Sequence, residues 1–290
     1  RIPVEVDVAS EFRYRDPLIS KRDLVIIISQ SGETIDTLFA LRESKERGAR
    51  VLSIVNVVGS SIARESDDVL YTWAGPEIAV ASTKAYNAQL AVLYLLALDL
   101  ACKRGKLDDS QAERIAEQLM NLPSAIEKVL ENREAIQRFS SEHYNAKSIF
   151  FIGRGLDYAL SMESSLKLKE ISYIHSEAYA GGELKHGTIA LIEEGTLVVC
   201  PLTQDDLMEK MISNIREVKA RGAVVLAVTQ QRNAEVEKVA DVVIKIPDVD
   251  PLVAPVVAIT PMQLFAYYMA VQKGCDVDKP RNLAKSVTVE

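Results

Sequence analysis

The sequence is poor in cysteine and histidine for its 290 residues. Its three cysteines, Cys102, Cys200 and Cys275, lie far apart and form no CxxC pair. An odd number of scattered cysteines argues against a disulfide framework, so we expect a reducing compartment, the cytoplasm. The three histidines likewise form no Cys/His cluster with the spacing of metal ligands, so we expect no metal site.

Long hydrophobic runs, a leader and an excess of positive charge are also missing. The longest apolar run, Leu90–Leu98, stops at Asp99, well short of the roughly 18 residues that a membrane span needs. No basic-then-apolar leader opens the chain. The formal net charge of −7 argues against a nucleic-acid backbone as ligand. Because the chain starts at Arg1 rather than Met, we expect a soluble piece of a longer protein, without nucleic-acid or membrane partners.

Apolar residues are abundant and are arranged in an internal repeat. Hydrophobic residues make up 48% of the chain, which is enough for buried cores, and a typical domain takes roughly 100–200 residues. The stretch Lys45–Ala49 recurs as Lys219–Ala223, a shift of 174 residues from 45 to 219. The same shift carries Val51–Val55 onto Val225–Thr229 without a gap. A repeat of this length predicts two domains of one fold.

Each copy of the repeat alternates strand-like and helical patterns. Leu24–Ile28 is a short run of β-branched and apolar residues, typical of a strand buried on both faces. The same criteria give strands at 51–55, 69–72, 148–152, 197–200, 224–228 and 242–246. They give helices at 35–48, 62–66, 83–103, 207–220 and 261–273. This alternation predicts an α/β fold in which each domain is a doubly wound parallel sheet flanked by helices, a flavodoxin-like three-layer sandwich.

The predicted domain limits are 1–121 for the first domain, 122–275 for the second and 276–290 for a C-terminal tail over the ligand site. Residues 108–139 are predicted to form a linking helical hairpin that breaks at Pro123.

The second copy opens with a strand and a helix that runs through Ser172, and nothing in the first copy corresponds to them. We therefore expect the first copy to lack its first strand, loop and helix, although Ile2–Val8 alternate like a strand.

A polar loop, Ser29-Gln30-Ser31-Gly32-Glu33-Thr34, follows the first strand and leads into a helix. Hydroxyl groups and backbone N–H groups at the positive end of a helix dipole are suited to a phosphate group. The alternative is that Ser31 only caps the helix. The second copy has Thr203-Gln204-Asp205-Asp206 in this place, and two carboxylates would repel a phosphate. Only the first copy is therefore predicted to bind one.

Three further segments carry polar chemistry. Val80 and Ser82 precede the long helix of the first copy, where Ser82 is either an N-cap or a substrate contact. Lys167 and Glu170 lie on the first helix of the second copy and His186 follows in a loop; the alternative is a solvated helix face with a surface histidine. A glutamate with a raised pKa suits proton transfer between neighbouring carbons, and a histidine suits ring opening of a sugar.

The C-terminal residues, which include Lys285, are expected either to fray or to fold over a site as a lid.

Four segments together resemble a known enzyme family. They read SQSGET, VASTKA, KLKEISYIHSEAYAGGELKHG and DKPRNLAKSVTVE. They are similar to the isomerase half of the glutamine–fructose-6-phosphate aminotransferases, also called glucosamine-6-phosphate synthases, which consists of two sugar-isomerase (SIS) domains. SQSGET marks only the wider SIS family, whereas the third segment and the C-terminal one are more specific.

The resemblance implies roles for particular residues. The phosphate of fructose 6-phosphate would be held by Ser29, Gln30, Ser31 and Thr34, and the sugar would be contacted by Val80, Ser82 and Ala284. The catalytic set would be Glu170, which moves a proton from C1 to C2, with Lys167, His186 and Lys285. His186 is implied to come from the other subunit of a homodimer, and no metal or organic cofactor is implied. The glutaminase domain that releases ammonia in this family would be a partner outside the present chain.

Two other functions stay open from the sequence. One is another SIS enzyme, such as a sugar-phosphate isomerase or a deglycase. The other is a non-catalytic SIS module that senses a sugar phosphate, which would need the phosphate loop but not Glu170, His186 and Lys285 together.

Overall fold

Residues 2–286 are described by a computed structural model, and they fall into two compact units. The first unit comprises the described residues up to Arg104 together with residues 284–286, and the second comprises Gly105–Leu283. The predicted boundary between residues 121 and 122 remains a prediction, and it falls inside a continuous helix. Residues 287–290 of the predicted tail lie outside the described residues.

The second unit is built on a five-stranded, all-parallel sheet. Its strands are β4 (Ser148–Gly153), β5 (His175–Ala180), β6 (Leu197–Leu202), β7 (Val224–Gln230) and β8 (Val242–Ile246). Its helices are α5 (Asp109–Glu131), α6 (Glu134–His143), α7 (Leu156–Ser172), α8 (Met208–Lys219) and α9 (Ala254–Gln272). The strand order β5-β4-β6-β7-β8 is the flavodoxin-like order, and α8 packs on one face while α7 and α9 pack on the other. The predicted fold class is confirmed.

The first unit holds a three-stranded parallel sheet in the order β1-β2-β3. Its strands are β1 (Leu24–Ser29), β2 (Arg50–Val55) and β3 (Asp68–Tyr71). Its helices are α1 (Ala9–Phe12), α2 (Ile35–Glu46), α3 (Ser61–Glu65) and α4 (Lys84–Lys103). The shift of 174 residues superposes β2 on β7 and β3 on β8 in sequence, so this sheet corresponds to β6-β7-β8. Among residues 2–286, the first copy therefore shows no counterpart of the two strands β4 and β5 or of α7.

The prediction that β1 is buried on both faces was wrong. Ile27 and Ser29 are buried against the α2 side, but Leu24, Ile26 and Ile28 are exposed. The reason lies in the repeat. β6, the counterpart of β1, pairs with β4 and is covered by α7, and the described part of the first unit contains neither element. The strand-like alternation at Ile2–Val8 was also misleading, because these residues form no strand.

Two proline predictions also failed. Pro123 was expected to break the linking helices, but it lies inside α5, and the break comes at Asn132 and Arg133. The last long helix was predicted to begin at Pro261 but begins at Ala254, with Pro255 in its first turn. A proline inside a helix removes one N–H donor and crowds the carbonyl group four residues earlier, yet the helices continue through Pro123 and Pro261.

Helices α4 and α9 are long and apolar enough to cross a membrane, by length and composition alone. In α9, 72% of the apolar window is buried, which is what a core helix of a water-soluble unit shows. In α4 the buried share is 6%. In the second unit α7 packs along α9, whereas no described helix holds the place of α7 beside α4.

The approach of α7 to β4 generates a stability prediction. A methyl group added at Gly153 would lie 2.2 Å from the Asp157 carbonyl oxygen in the first turn of α7. Gly153→Ala should therefore lower the free energy of unfolding by about 2–3 kcal/mol, measured by urea denaturation, because backbone must move. Gly182→Ala is the matched control, since its methyl group would meet only the movable end of Arg154. Equal effects of the two substitutions would contradict this account.

Candidate functional site

The predicted phosphate loop connects β1 to α2 and is held in a defined shape. The Gly32 N–H donates to Ser29 Oγ at 3.0 Å, and the Asn56 N–H at the end of β2 donates to the Gln30 carbonyl at 3.1 Å. Gly32 has a φ of +67°, and a Cβ there would collide with Ser60. A glycine is therefore required for the loop to lie against the start of α3.

The hydroxyl groups of this loop do not serve as helix caps. Thr34 is the N-cap of α2, but its side chain makes no capping bond, and its Oγ1 lies 3.3 Å from Ser29 Oγ. Ser31 Oγ accepts the Glu33 N–H at 3.2 Å. The capping role considered for Ser31 is thus not what the structure shows, and the hydroxyl groups cluster at the positive end of α2.

Glu33 places a carboxylate in the same loop, but this carboxylate is engaged elsewhere. Its Oε1 accepts the Ser61 N–H at 2.8 Å, at the start of α3. The hydrogen bonds from Ser61 lower the pKa of Glu33 below its ordinary value. The Glu33 carboxylate is therefore bonded to the start of α3, so the phosphate loop remains suited to an anion.

The corresponding loop of the second copy is already filled by a carboxylate. Asp157, which is 1% exposed in the first turn of α7, accepts the Thr203 N–H at 2.8 Å and the Thr203 hydroxyl at 2.6 Å. Burial raises the pKa of Asp157, while the bonds from Thr203 act against that rise. Asp205 pairs with Arg232 at 2.8 Å. The second loop thus satisfies its donors internally, which supports the prediction that only the first copy binds phosphate.

Lys285 and Ser286 contact two loops of the first unit. One is the predicted phosphate loop, and the other is the segment that contains Val80 and Ser82, called the sugar loop below. Lys285 Nζ donates to the Ala79 carbonyl at 2.7 Å and to Ser82 Oγ at 3.4 Å. Ser286 Oγ lies 3.3 Å from Ser31 Oγ. Ser82 is not the N-cap of α4, because Thr83 holds that position. The structure thus brings Lys285 together with the segment that contains Val80 and Ser82.

An earlier part of the tail is fixed on the second unit. The Arg281 N–H donates to Tyr173 Oη at 2.8 Å, and the Arg281 guanidinium lies 4.2 Å from the centre of the Tyr173 ring. Residues 276–286 form no helix or strand, as the lack of periodicity in the predicted tail indicated. Ala284 belongs to the first unit.

A charged triad lies along one face of α7 in the second unit. Lys167 Nζ is 2.6 Å from Glu170 Oε2 and 3.5 Å from Glu163 Oε1, and the Lys167 side chain is only 6% exposed. The spacing of four and seven residues places all three groups on one helix face. A buried ammonium between two carboxylates fixes the position of Glu170.

Glu163 is the group in this triad whose proton affinity is altered most clearly. Burial raises its pKa to about 7; the charge of Lys167 acts against this shift and that of Glu170 adds to it. Glu163 therefore exchanges a proton near neutral pH. Such a cluster can accept and return a proton at a neighbouring ligand.

His186 lies apart from this triad. It is exposed and ends a 3-10 turn that spans Glu183–His186. Its neighbour Lys185 pairs with Glu217 on α8 at 2.9 Å. Among residues 2–286, no group of three or more His, Cys, Asp or Glu side chains is placed to hold a metal ion.

Three functional candidates were missed by the sequence reasoning. Glu163 was detectable, because it precedes Lys167 and Glu170 at helical spacing. Asp157 and Glu77 gave no local signal. Each acts on a segment distant in sequence: Asp157 on Thr203, and Glu77 on Lys285 at 3.8 Å.

The raised pKa of Glu163 predicts a pH dependence of stability. The unfolded chain ionises this carboxyl near 4.5 and the folded chain only near 7, so the folded state binds more protons between these values. The free energy of unfolding should therefore fall by on the order of 2 kcal/mol as the pH rises from about 4.5 to 7. Glu163→Gln should flatten this part of the profile in urea denaturation at several pH values. Glu209→Gln on exposed α8 surface is the control, and an unchanged profile in Glu163→Gln would contradict the prediction.

The chain is similar to known proteins along its whole length. It is 65% identical over 290 residues to glutamine–fructose-6-phosphate aminotransferase (isomerizing) of Caldanaerobacter subterraneus subsp. tengcongensis. It is 60% identical to the enzyme of that name from Clostridium acetobutylicum. Each match covers all of this chain and 48% of the relative, so the chain spans about half the length of these curated relatives.

A solved structure and a family profile agree with this likeness. The C-terminal domain of glucosamine-fructose-6-phosphate aminotransferase from Francisella tularensis is similar with a TM-score of 0.92 and 41% identity, over 96% of this chain and 79% of that one. The profile of the SIS domain matches residues 1–99 and 142–273. With most of its length matched by that profile, the chain belongs to the SIS domain family.

Proposed function

We propose that this chain is the isomerase half of a glutamine–fructose-6-phosphate aminotransferase (isomerizing). It would convert fructose 6-phosphate and ammonia to glucosamine 6-phosphate. Its relatives carry that name over the whole of this chain, at about half of their own length. The ammonia would come from glutamine through a glutaminase domain of the parent protein, and the enzyme would act in the cytoplasm on the route to amino sugars.

The observation that carries this proposal is the Glu170–Lys167 pair on α7. A module that only binds a sugar phosphate needs a phosphate loop, but it has no need for a carboxylate held by a buried ammonium next to a group that titrates near pH 7. Moving a proton between two carbons requires such a carboxylate. A non-catalytic sensing module is therefore not favoured, nor is another SIS isomerase or deglycase, given the identities above.

The proposed reaction has three steps. His186 assists opening of the sugar ring, and ammonia then adds at C2 with loss of water to give the imine. Glu170 removes a proton from C1 and returns it at C2. The C1 hydroxyl group loses its proton and the imine nitrogen gains one, so that the imine becomes the amino sugar with an aldehyde carbon at C1. Ser29, Gln30, Ser31 and Thr34 would hold the phosphate, while Val80, Ser82 and Ala284 would contact the sugar. Lys167 and Lys285 would complete the catalytic set.

The exposure of His186 supports a homodimer. It stands on a solvent-facing turn beside the Lys185–Glu217 pair and is free to reach a neighbouring molecule. A histidine supplied by the second subunit would make the active enzyme at least a dimer. Mixing Glu170→Gln and His186→Ala variants tests this, since activity should reappear in mixed dimers that hold one intact site.

Glu170→Gln should abolish the isomerisation while leaving ligand affinity nearly unchanged. The amide keeps the size of the side chain but cannot take up the C1 proton, so the rate should fall by roughly 10²–10⁴-fold. The measurement is interconversion of fructose 6-phosphate and glucose 6-phosphate, and amination with ammonium, by the full-length protein. Glu209→Gln serves as the control. A rate equal to that of the unmodified protein would remove Glu170 from the mechanism.

Thr34→Val should weaken sugar-phosphate binding about tenfold in calorimetric titration with glucosamine 6-phosphate. The substitution keeps the shape of the N-cap residue but removes a hydroxyl donor to a charged ligand. Ser20→Ala, which alters an exposed serine of the same unit bonded to Asp23, should leave the affinity unchanged. An unaltered affinity in Thr34→Val, or phosphate bound against Thr203 instead, would refute the assignment of the loop.

A further inference from the structure

Glu77 is a buried carboxylate for which the proposed mechanism has no use. It lies in the segment between β3 and α4, and its side chain is 4% exposed. Burying a carboxylate is costly unless it is paired or hydrogen-bonded. Its two oxygens therefore need partners.

The two oxygens of Glu77 face different elements of the first unit. Oε1 accepts the Thr83 N–H at 2.6 Å and the Thr83 hydroxyl at 3.0 Å, which ties it to the N-terminus of α4. Oε2 is buried and makes no hydrogen bond, and it lies 3.8 Å from Lys285 Nζ. The carboxylate thus joins the start of a helix to a lysine more than two hundred residues later in the chain.

Lys285 has three donor hydrogens and three neighbours in this segment. The Ala79 carbonyl and Ser82 Oγ accept hydrogen bonds from it, and neither is charged. Glu77 supplies the negative charge. Without that charge, the Lys285 ammonium group would lose hydration and gain only two hydrogen bonds to neutral acceptors, which is unfavourable.

We propose that Glu77 is a positioning residue that holds Lys285 against the sugar loop and so keeps the C-terminal tail closed. The catalytic part of this inference, that a closed tail favours turnover, rests on the proposed function. The structural part, that the charge of Glu77 keeps Lys285 in place, does not. Glu77 itself touches neither the sugar nor the reacting atoms in this scheme.

Trypsin digestion tests the structural part directly, because trypsin must bind the Lys285 side chain in order to cleave the peptide bond between Lys285 and Ser286. Cleavage that follows opening of the tail reports the population of the open form. Glu77→Gln removes the ion pair with Lys285, which contributes about 1 kcal/mol. The rate of cleavage after Lys285 should therefore rise about fivefold. The cut after Arg281, which lies on Tyr173 in the second unit, is the internal reference and should not change. Intact-mass measurements on the full-length protein distinguish the two products.

Thr83→Val is the matched control for damage to the fold. It removes the hydroxyl that donates to Glu77 Oε1 but leaves the Thr83 N–H and the charge facing Lys285. Its cut after Lys285 should stay at the unmodified rate. The proposal is overturned if Glu77→Gln leaves that rate unchanged, or if Thr83→Val raises it as much.

A double-mutant cycle tests the catalytic part. Glu77→Gln alone should raise the KM for fructose 6-phosphate more than it lowers kcat, since it acts through tail closure. In a Lys285→Met background the same substitution should have no further effect. Additive effects in the cycle would overturn the positioning role. If the unmodified full-length protein fails to convert fructose 6-phosphate, the proposed function falls, and the trypsin rates still decide whether Glu77 holds Lys285.

Discussion

Parallel strands deliver their carboxyl ends, and the N-termini of the helices that follow, to one edge of a sheet. That edge gathers unpaired N–H groups and positive helix ends, and they need a negative partner. The two copies in this chain meet the requirement differently. In the second copy Asp157 supplies a buried carboxylate to Thr203, whereas in the first copy hydroxyl groups at Ser29, Ser31 and Thr34 surround the end of α2. The protein itself fills one loop with a carboxylate, and we propose that the other loop takes a ligand.

Buried charge serves a second purpose on α7. Lys167 is almost completely removed from water, so the two carboxylates beside it are fixed by a strong local interaction. The same burial that makes Lys167 costly holds the proton of Glu163 up to about pH 7. The cost in stability and the chemical usefulness of the cluster therefore have one cause. Proton transfer needs groups whose charge is easily altered, and solvent-exposed side chains rarely provide them.

The repeat made much of the fold predictable. Its shift of 174 residues aligns β2 with β7 and β3 with β8 from sequence alone, because strand and helix periodicities survive divergence of individual residues. The failures came where tertiary packing decides. The face of β1 is exposed because the described part of the first unit has no counterpart of β4 or α7, and α5 continues through Pro123. Glu77 was invisible for a related reason: no sequence pattern links a loop residue to a lysine far along the chain.

Asp157 has a consequence for how the two copies can diverge further. Restoring serines to the Thr203 loop would not be enough to make it accept a phosphate, since a resident carboxylate already occupies its donors. Removing that carboxylate first would leave the Thr203 N–H unsatisfied in the interior, at a cost in stability. Both changes together are therefore needed before this loop could take a phosphate. The two copies are in this sense no longer interchangeable at this loop.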